Sequence, residues 1–376
     1  MHVRTRLVNL VVATGLVLGI GVGVSQPAAA HDGQREVTVL TQNLYLGSSL
    51  VPALTATTPE AFVGAVAEIY GTVLFTNFAA RADAIAREIA ATDPDVIALQ
   101  EVSDWEVTRP PGAPPIPRID FLAILQGALD DAGLSYAVVA TSHNAEIGPA
   151  PLVGVAGCAV PPQPFDCFVT LRDRDVILVN TETPGLTWSN PRSGTYKAQE
   201  TFAPPAGEAV SFERGWASID IRLDGQHFRF FNTHLEVADF GPNTVKVQVA
   251  QALELLARVL LSRPPVIVAG DINSAAPPAA PEPDGSNTPT YGLLTKVLTD
   301  AWTKAGEGAG FTCCQNDTLT NFPSQLFERI DVILWRGEVS ALSADTISDT
   351  PFRSIPPIQP IWPSDHAGVV ARLLVG

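Results

Sequence analysis

The sequence predicts an α/β fold in which two packed sheets are flanked by helices. Short, wholly apolar runs at 37–40, 96–99 and 266–269 read as strands buried on both faces. Stretches with apolar residues at helical spacing, such as 79–91 and 244–261, lie between the runs. The polar residues Asn43, Glu101 and Asp271 fall just where such runs end, as expected if strands deliver them to one end of a sheet.

In chain order, residues 37–42 form a strand that ends at Asn43. In 79–91, Ala82, Ile85, Ala86 and Ile89 share one helical face, and Pro94 stops that helix. Residues 95–100 form the next strand and present Glu101. Proline-rich 109–117 reads as a surface loop and 121–132 as a second helix. Strands are expected at 135–140, 176–179, 217–222 and 228–233, the last ending at His234. A long helix at 244–261, a buried strand at 266–269, a proline-rich loop at 277–290 and strands at 329–335 and 368–374 complete the chain.

With 376 residues, 46% of them hydrophobic, the chain can bury a core for one large domain or two. Apolar runs continue from Val37 to Leu374 with no Gly/Ser or charge-run linker and no internal repeat, so 31–376 is read as one domain. Residues 1–30 are read apart from it. Arg4 and Arg6 precede an apolar stretch at 7–24, and Ala28-Ala29-Ala30 offers the small residues a signal peptidase accepts. The expectation is a cleaved signal peptide and a secreted protein; the alternative is a retained anchor, since the stretch approaches the ~18 apolar residues that span a bilayer.

Export implies oxidising conditions. Cys158 and Cys167, separated by nine positions around a Pro-Pro loop, fit a disulfide, whereas adjacent Cys313 and Cys314 fit either a strained bond between neighbours or two buried thiols. No Cys-x-x-Cys spacing suggests zinc. The net charge of −16 becomes about −18 once Arg4 and Arg6 leave with the signal. Without a basic run, a polyanion would be held only through a local patch or a bridging cation.

Six polar blocks follow one another: Gln42-Asn43, Leu99-Gln100-Glu101, Asn232-Thr233-His234, Gly270-Asp271-Ile272-Asn273, Arg329-Ile330-Asp331 and Ser364-Asp365-His366. In this order they resemble the endonuclease/exonuclease/phosphatase family, whose members similar to this chain include deoxyribonuclease I, exonuclease III and neutral sphingomyelinases. The resemblance runs from about Val37 to Leu374. It implies a four-layer α/β sandwich of two packed, mostly antiparallel sheets flanked by helices. It also implies a magnesium-type cation, with Mn2+ or Ca2+ as alternatives, and hydrolysis of a phosphate ester.

The residue types suit that chemistry on their own account. Attack on a phosphodiester needs a hard cation to neutralise developing oxygen charge, and such cations prefer Glu and Asn oxygens. Glu101 is the main expected ligand and Asn43 its neighbour, although Asn43 equally fits a turn. Asp365 is expected near the same cation or a second one. By similarity to the family, Asp271 holds the attacking water, and Asn273 contacts the phosphate or fixes Asp271; a simple Gly-Asp turn is the competing reading. The family pairs the last histidine with the Asp of the Arg-Ile-Asp block, here His366 with Asp331, which fixes the imidazole tautomer and supports its charged form. His234 resembles the second histidine of the deoxyribonuclease and sphingomyelinase branch. Arg214 stands where that branch contacts phosphate, and Asp173 roughly where it keeps an acidic partner for His234; Arg214 also reads as a surface arginine.

The chain departs from the nucleases where those bind DNA. Residues 46–81 carry Phe62, Ile69, Tyr70, Phe75 and Phe78 with no basic residue before Arg81. Residues 183–212 carry Trp188, Tyr196 and Phe202 beside Arg192 and Lys197, and Phe352, Ile355, Ile358, Ile361 and Trp362 precede Asp365. Such apolar segments suit a phospholipid membrane surface or ordinary packing. The expectation is a secreted monomer with sphingomyelinase-like action on phospholipid head groups, duplex DNA being a less expected partner. An extracellular nuclease is the competing enzyme, and a non-catalytic binding module the third reading; intact Glu101, Asp271 and His366 argue against that last one.

Overall fold

The computed structural model describes residues 33–376 except 204, 207, 208, 239, 240, 242, 278–286, 356 and 357, and within 353–360 no side chain. The expected signal peptide at 1–30, the middle of the loop at 277–290 and the side chains of Ile355 and Ile358 lie outside the described residues.

Strict alternation of side chains along a strand explains why continuous apolar runs occur here. On Val96–Gln100, Ile97 and Leu99 pack into one core, while Val96 and Ala98 pack into another. Val266–Asp271 repeats the pattern, with Ile267 and Ala269 on one face and Val266 and Val268 on the opposite one. Both strands are therefore covered twice. Between the sheets lies a core that also holds Val37, Val39, Ile177, Phe230 and Ile333. Beyond the first sheet lie helices Pro59–Thr76, Phe78–Thr92 and Phe121–Asp131, which bury Tyr70, Ile85 and Leu125. Beyond the second lies Thr244–Leu261 with Leu255 and Val259. Helix, sheet, sheet, helix is the expected four-layer sandwich.

The first sheet runs Val339–Ile347, Gly368–Val375, Arg35–Asn43, Val96–Gln100, Phe168–Asn180, Asp104–Thr108 and Ile119–Asp120, and Tyr136–Pro151 also pairs with Phe168–Asn180. The second runs Thr299–Asp300, Asp331–Arg336, Val266–Asp271, Gln226–His234, Gly215–Leu223 and Leu186–Thr195. One neighbouring pair in each sheet is parallel, Arg35–Asn43 with Val96–Gln100 and Gln226–His234 with Val266–Asp271, and the others are antiparallel.

Some elements differ from the sequence reading. Helix Pro59–Thr76 spreads its apolar residues around its circumference and so lacks a stripe to read, although Thr58 caps it by accepting from Ala61 N and Pro59 opens it. Ile69 and Tyr70 of that helix and Phe78 at the start of the next are core residues, while Phe75 is 49% exposed. Leu186–Thr195 is a mostly exposed edge strand containing Pro191, and Val339–Ile347 also escaped the pattern. Trp362 does not form an exposed apolar rim. It is buried beside Tyr45 and Leu319, and its indole N–H donates to Asn321 O at 2.8 Å. Cys158 and Cys167 form a disulfide with Cα atoms 5.7 Å apart, and Cys313 and Cys314, across a cis peptide, have their sulfurs paired.

One buried amide joins the two sheets. Asn232 of the second sheet donates to Leu99 O and Val176 O of the first, both at 2.9 Å, and accepts from Gln100 Nε2 at 2.7 Å. No water reaches these groups to replace a lost partner, so Asn232→Leu, close in size, is expected to destabilise the fold by about 2–4 kcal/mol. Urea unfolding checks this: the midpoint falls if the bridge matters, and an unchanged midpoint contradicts it.

Candidate active site

Strand register places the first three groups side by side. His234 is level with Asp271 in the parallel pair, and Asp271 is opposite Asp331 in the antiparallel pair. Asp271 is buried; its Oδ1 accepts from Asn273 N at 2.9 Å and its Oδ2 from Asn43 Nδ2 at 3.1 Å. Burial and the neighbouring Asp331 push its carboxyl up to about 7, against the opposing pull of His366. Asn273 takes a left-handed conformation, φ 47°, that asparagine tolerates, and its amide reaches His234 Nε2 at 3.1 Å and Leu235 O at 2.9 Å.

The expected pair of His366 and Asp331 is present, with Nδ1 2.8 Å from Oδ2. Burial opposes a charge on this imidazole, yet Asp331 and Asp365 outweigh it and hold His366 well above the ordinary histidine range. His234 is in the opposite state. Burial and then Arg214 hold it well below that range, so at neutral pH one histidine is cationic and the other neutral. Cys314 Sγ lies 3.8 Å from His366 Nε2.

Glu101 follows its strand in a left-handed conformation, φ 53°, which for a residue with a Cβ costs about 1–2 kcal/mol. Its Oε2 accepts from Leu46 N at 2.7 Å. Burial, then Asp365 and Asp173, push the carboxyl up to about 8. Asp365 is also raised by burial, against His366 and Arg81. Asn43 fits its reading as a turn residue, Oδ1 accepting from Tyr45 N at 2.9 Å, and its amide in addition donates to Asp271. That oxygen keeps a second lone pair.

Arg214 is not a surface residue. Its Nη1 lies 3.1 Å and 3.2 Å from the two ring nitrogens of His234, and its Nε 3.6 Å from Glu236 Oε1. Asp173 is not the nearest acidic partner of His234. Asp175, two residues on and hence on the same strand face, has Oδ1 4.0 Å from His234 Nδ1, whereas Asp173 accepts from Asn144 Nδ2 at 3.1 Å. The alternation in Arg172-Asp173-Arg174-Asp175 carried this signal. Burial, then Asp173, raise Asp175 well above the ordinary carboxylate range.

Arg81 also escaped the sequence reading. Fully buried, it donates from Nη1 to Leu44 O at 2.6 Å and Pro363 O at 3.1 Å, tying the loop after the first strand to the loop before the last. Ser364 Oγ adds a bond to Asn43 O at 2.8 Å. Burial lowers Arg81 only to about 10, so it stays cationic and faces Asp365 and Glu101. A lone arginine on the buried stripe of Ala82, Ile85 and Ile89 was the clue in the sequence.

The donor set fits a divalent cation. Glu101 and Asp365 offer carboxylate oxygens, the ligands a hard cation prefers; burial raises both carboxyls, and Asp365 adds to the rise at Glu101 while Asp331 adds to that at Asp365.

The model of the Endonuclease/Exonuclease/phosphatase family matches residues 69–366. No curated protein matches the sequence. Among solved structures, an endonuclease/exonuclease/phosphatase family protein from Bacteroides thetaiotaomicron superposes with a TM-score of 0.54 at 18% identity, covering 91% of this chain and 99% of that one. A mannosyl-6-phosphatase from the same species gives 0.52 at 18% identity, with 90% and 99% covered. A protein from Beutenbergia cavernae described as endonuclease/exonuclease/phosphatase gives 0.53 at 19%, with 91% and 72% covered. At these identities the structures show a shared fold, and the match over residues 69–366 shows the lineage: the chain belongs to the endonuclease/exonuclease/phosphatase family and is a phosphoric ester hydrolase.

Proposed function

We propose that the chain is a secreted, monomeric, Mg2+-dependent phosphodiesterase whose single domain spans 31–376 and which releases phospholipid head groups in the manner of a sphingomyelinase. The observation that carries the catalytic part is the placement of two imidazoles around buried Asp271, His234 Nε2 at 3.6 Å and His366 Nδ1 at 3.9 Å from its Oδ2. The net charge of −16, with no basic run, favours a lipid over a nucleic acid.

Glu101 and Asp365, with Asn43 beside them, would hold the cation, which when bound supplies positive charge against the oxygens of the reacting phosphate. Asp271 is fixed by Asn43 and by the Asn273 amide, and with its carboxyl near 7 it is suited to accept a proton from an attacking water. His366, cationic on Asp331, presents its Nε2 proton to a phosphoryl or leaving oxygen. Neutral His234 orients Asn273 rather than carrying charge, and Arg214 adds a fixed positive charge beside it.

A screen of DNA, RNA, sphingomyelin, phosphoinositides and nitrophenyl phosphate esters, with and without Mg2+, tests the proposal. Mg2+-dependent release of a phospholipid head group is expected. Plasmid cleavage with no phospholipid hydrolysis would instead make the protein an extracellular nuclease.

His366 and Asp331 are expected to act as a unit. His366→Ala or Asp331→Asn each lowers turnover by about 10²-fold or more, and the double variant is little worse than the poorer single one. Steady-state kinetics on the preferred ester checks this, and fully additive losses show independent roles.

A further inference from the structure

An apolar cleft of about 840 Å3 opens beside the catalytic groups. Phe62, Val63 and Val66 from helix Pro59–Thr76 form one wall, Ile147 and Leu171 from the paired strands form another, and Phe165 flanks them. Phe62 is half-buried and Phe165 is 43% exposed, so apolar surface meets solvent at the site.

The cleft and the site share structure. Asn144 lines the cleft and donates to Asp173 at 3.1 Å. Trp105 lines it and donates from its indole to Leu46 O at 2.9 Å, and Leu46 N in turn donates to Glu101 at 2.7 Å. Glu213, also on the lining, directly precedes Arg214.

We propose that this cleft takes the alkyl or acyl chain of an amphiphilic phosphodiester, one chain of one substrate molecule, whose phosphate lies against Arg214 and His366. The assignment rests on the phosphodiesterase reading and adds to it a pocket that selects substrate. The volume lies within the ~300–1,000 Å3 of small-molecule sites, which are mostly apolar with few polar groups. A nucleobase would need free hydrogen-bond partners, and Asn144 is already engaged. The charged lining residues, Glu146 and Glu213, are both acidic and would repel a continuing polyphosphate strand.

Calorimetric titration of the protein with n-alkyl methyl phosphates from butyl to decyl, in Mg2+, tests the assignment. Affinity should rise about threefold to fourfold for each added methylene until the cleft is full, with a negative heat-capacity change. Phe62→Ser and Phe165→Ser should each flatten that dependence. Phe165 is exposed enough that its substitution leaves the fold intact, so a failure of Phe62→Ser to fold does not block the test. Affinity independent of chain length, or an unchanged dependence in Phe165→Ser, overturns the proposal. Chain-length independence together with sedimentation on phosphatidylcholine vesicles overturns it in favour of membrane docking. A chain-length dependence with no turnover of any ester supports the cleft and refutes the phosphodiesterase reading instead.

Discussion

Crowded negative charge is the constraint on which this structure turns. Glu101, Asp173, Asp175, Asp271, Asp331 and Asp365 come together at the ends of two sheets, and buried carboxylates repel one another in a medium that screens poorly. Arg81, Arg214 and cationic His366 offset part of that charge. Burial first, and neighbouring carboxylates after it, push Glu101 up to about 8 and Asp271 up to about 7. A hard divalent cation held, as proposed, by Glu101 and Asp365 would supply positive charge to this acidic cluster.

The cluster persists because the surrounding structure leaves it little freedom. Register in the second sheet sets His234, Asp271 and Asp331 abreast. Asn232 and Gln100 fix that sheet against the first, where Asn43 and Glu101 stand at neighbouring strand ends. Arg81 and Ser364 hold the loop that carries Asp365 and His366 against the loop that carries Asn43 and Tyr45. Each tie joins residues far apart in sequence through buried polar groups, and such groups cost more when left unpaired than they contribute when paired. Preorganisation of this kind keeps charge in position before substrate arrives.

Much of this was legible in the sequence because continuous apolar runs report burial on both faces. Val96 to Leu99 and Val266 to Ala269 located the two central strands and therefore Glu101 and Asp271. The helix at Thr244–Leu261 was legible because its apolar stripe is regular. Helix Pro59–Thr76 was not, since it is apolar on most sides and periodicity carries no signal there. Long-range partners were also hidden: Asp175 rather than Asp173 faces His234, and Arg81 reaches Pro363, choices made by sheet packing rather than by local pattern. Trp362, among isoleucines before Asp365, read equally as an apolar rim or as packing, and it fills the gap beside Tyr45 and Leu319.

On the proposed reading, Glu101 and Asp365 hold a divalent cation beside Asp271 and His366. Calorimetric titration of Mg2+ into the wild-type protein and into Glu101→Gln tests it most directly. Glu101→Gln keeps the side chain's size but removes the charge. Saturable Mg2+ binding by the wild type and a loss of about tenfold or more in affinity in the variant, with the fold preserved, are expected. Equal affinity in the two proteins, or no Mg2+ binding by the wild type, would contradict it.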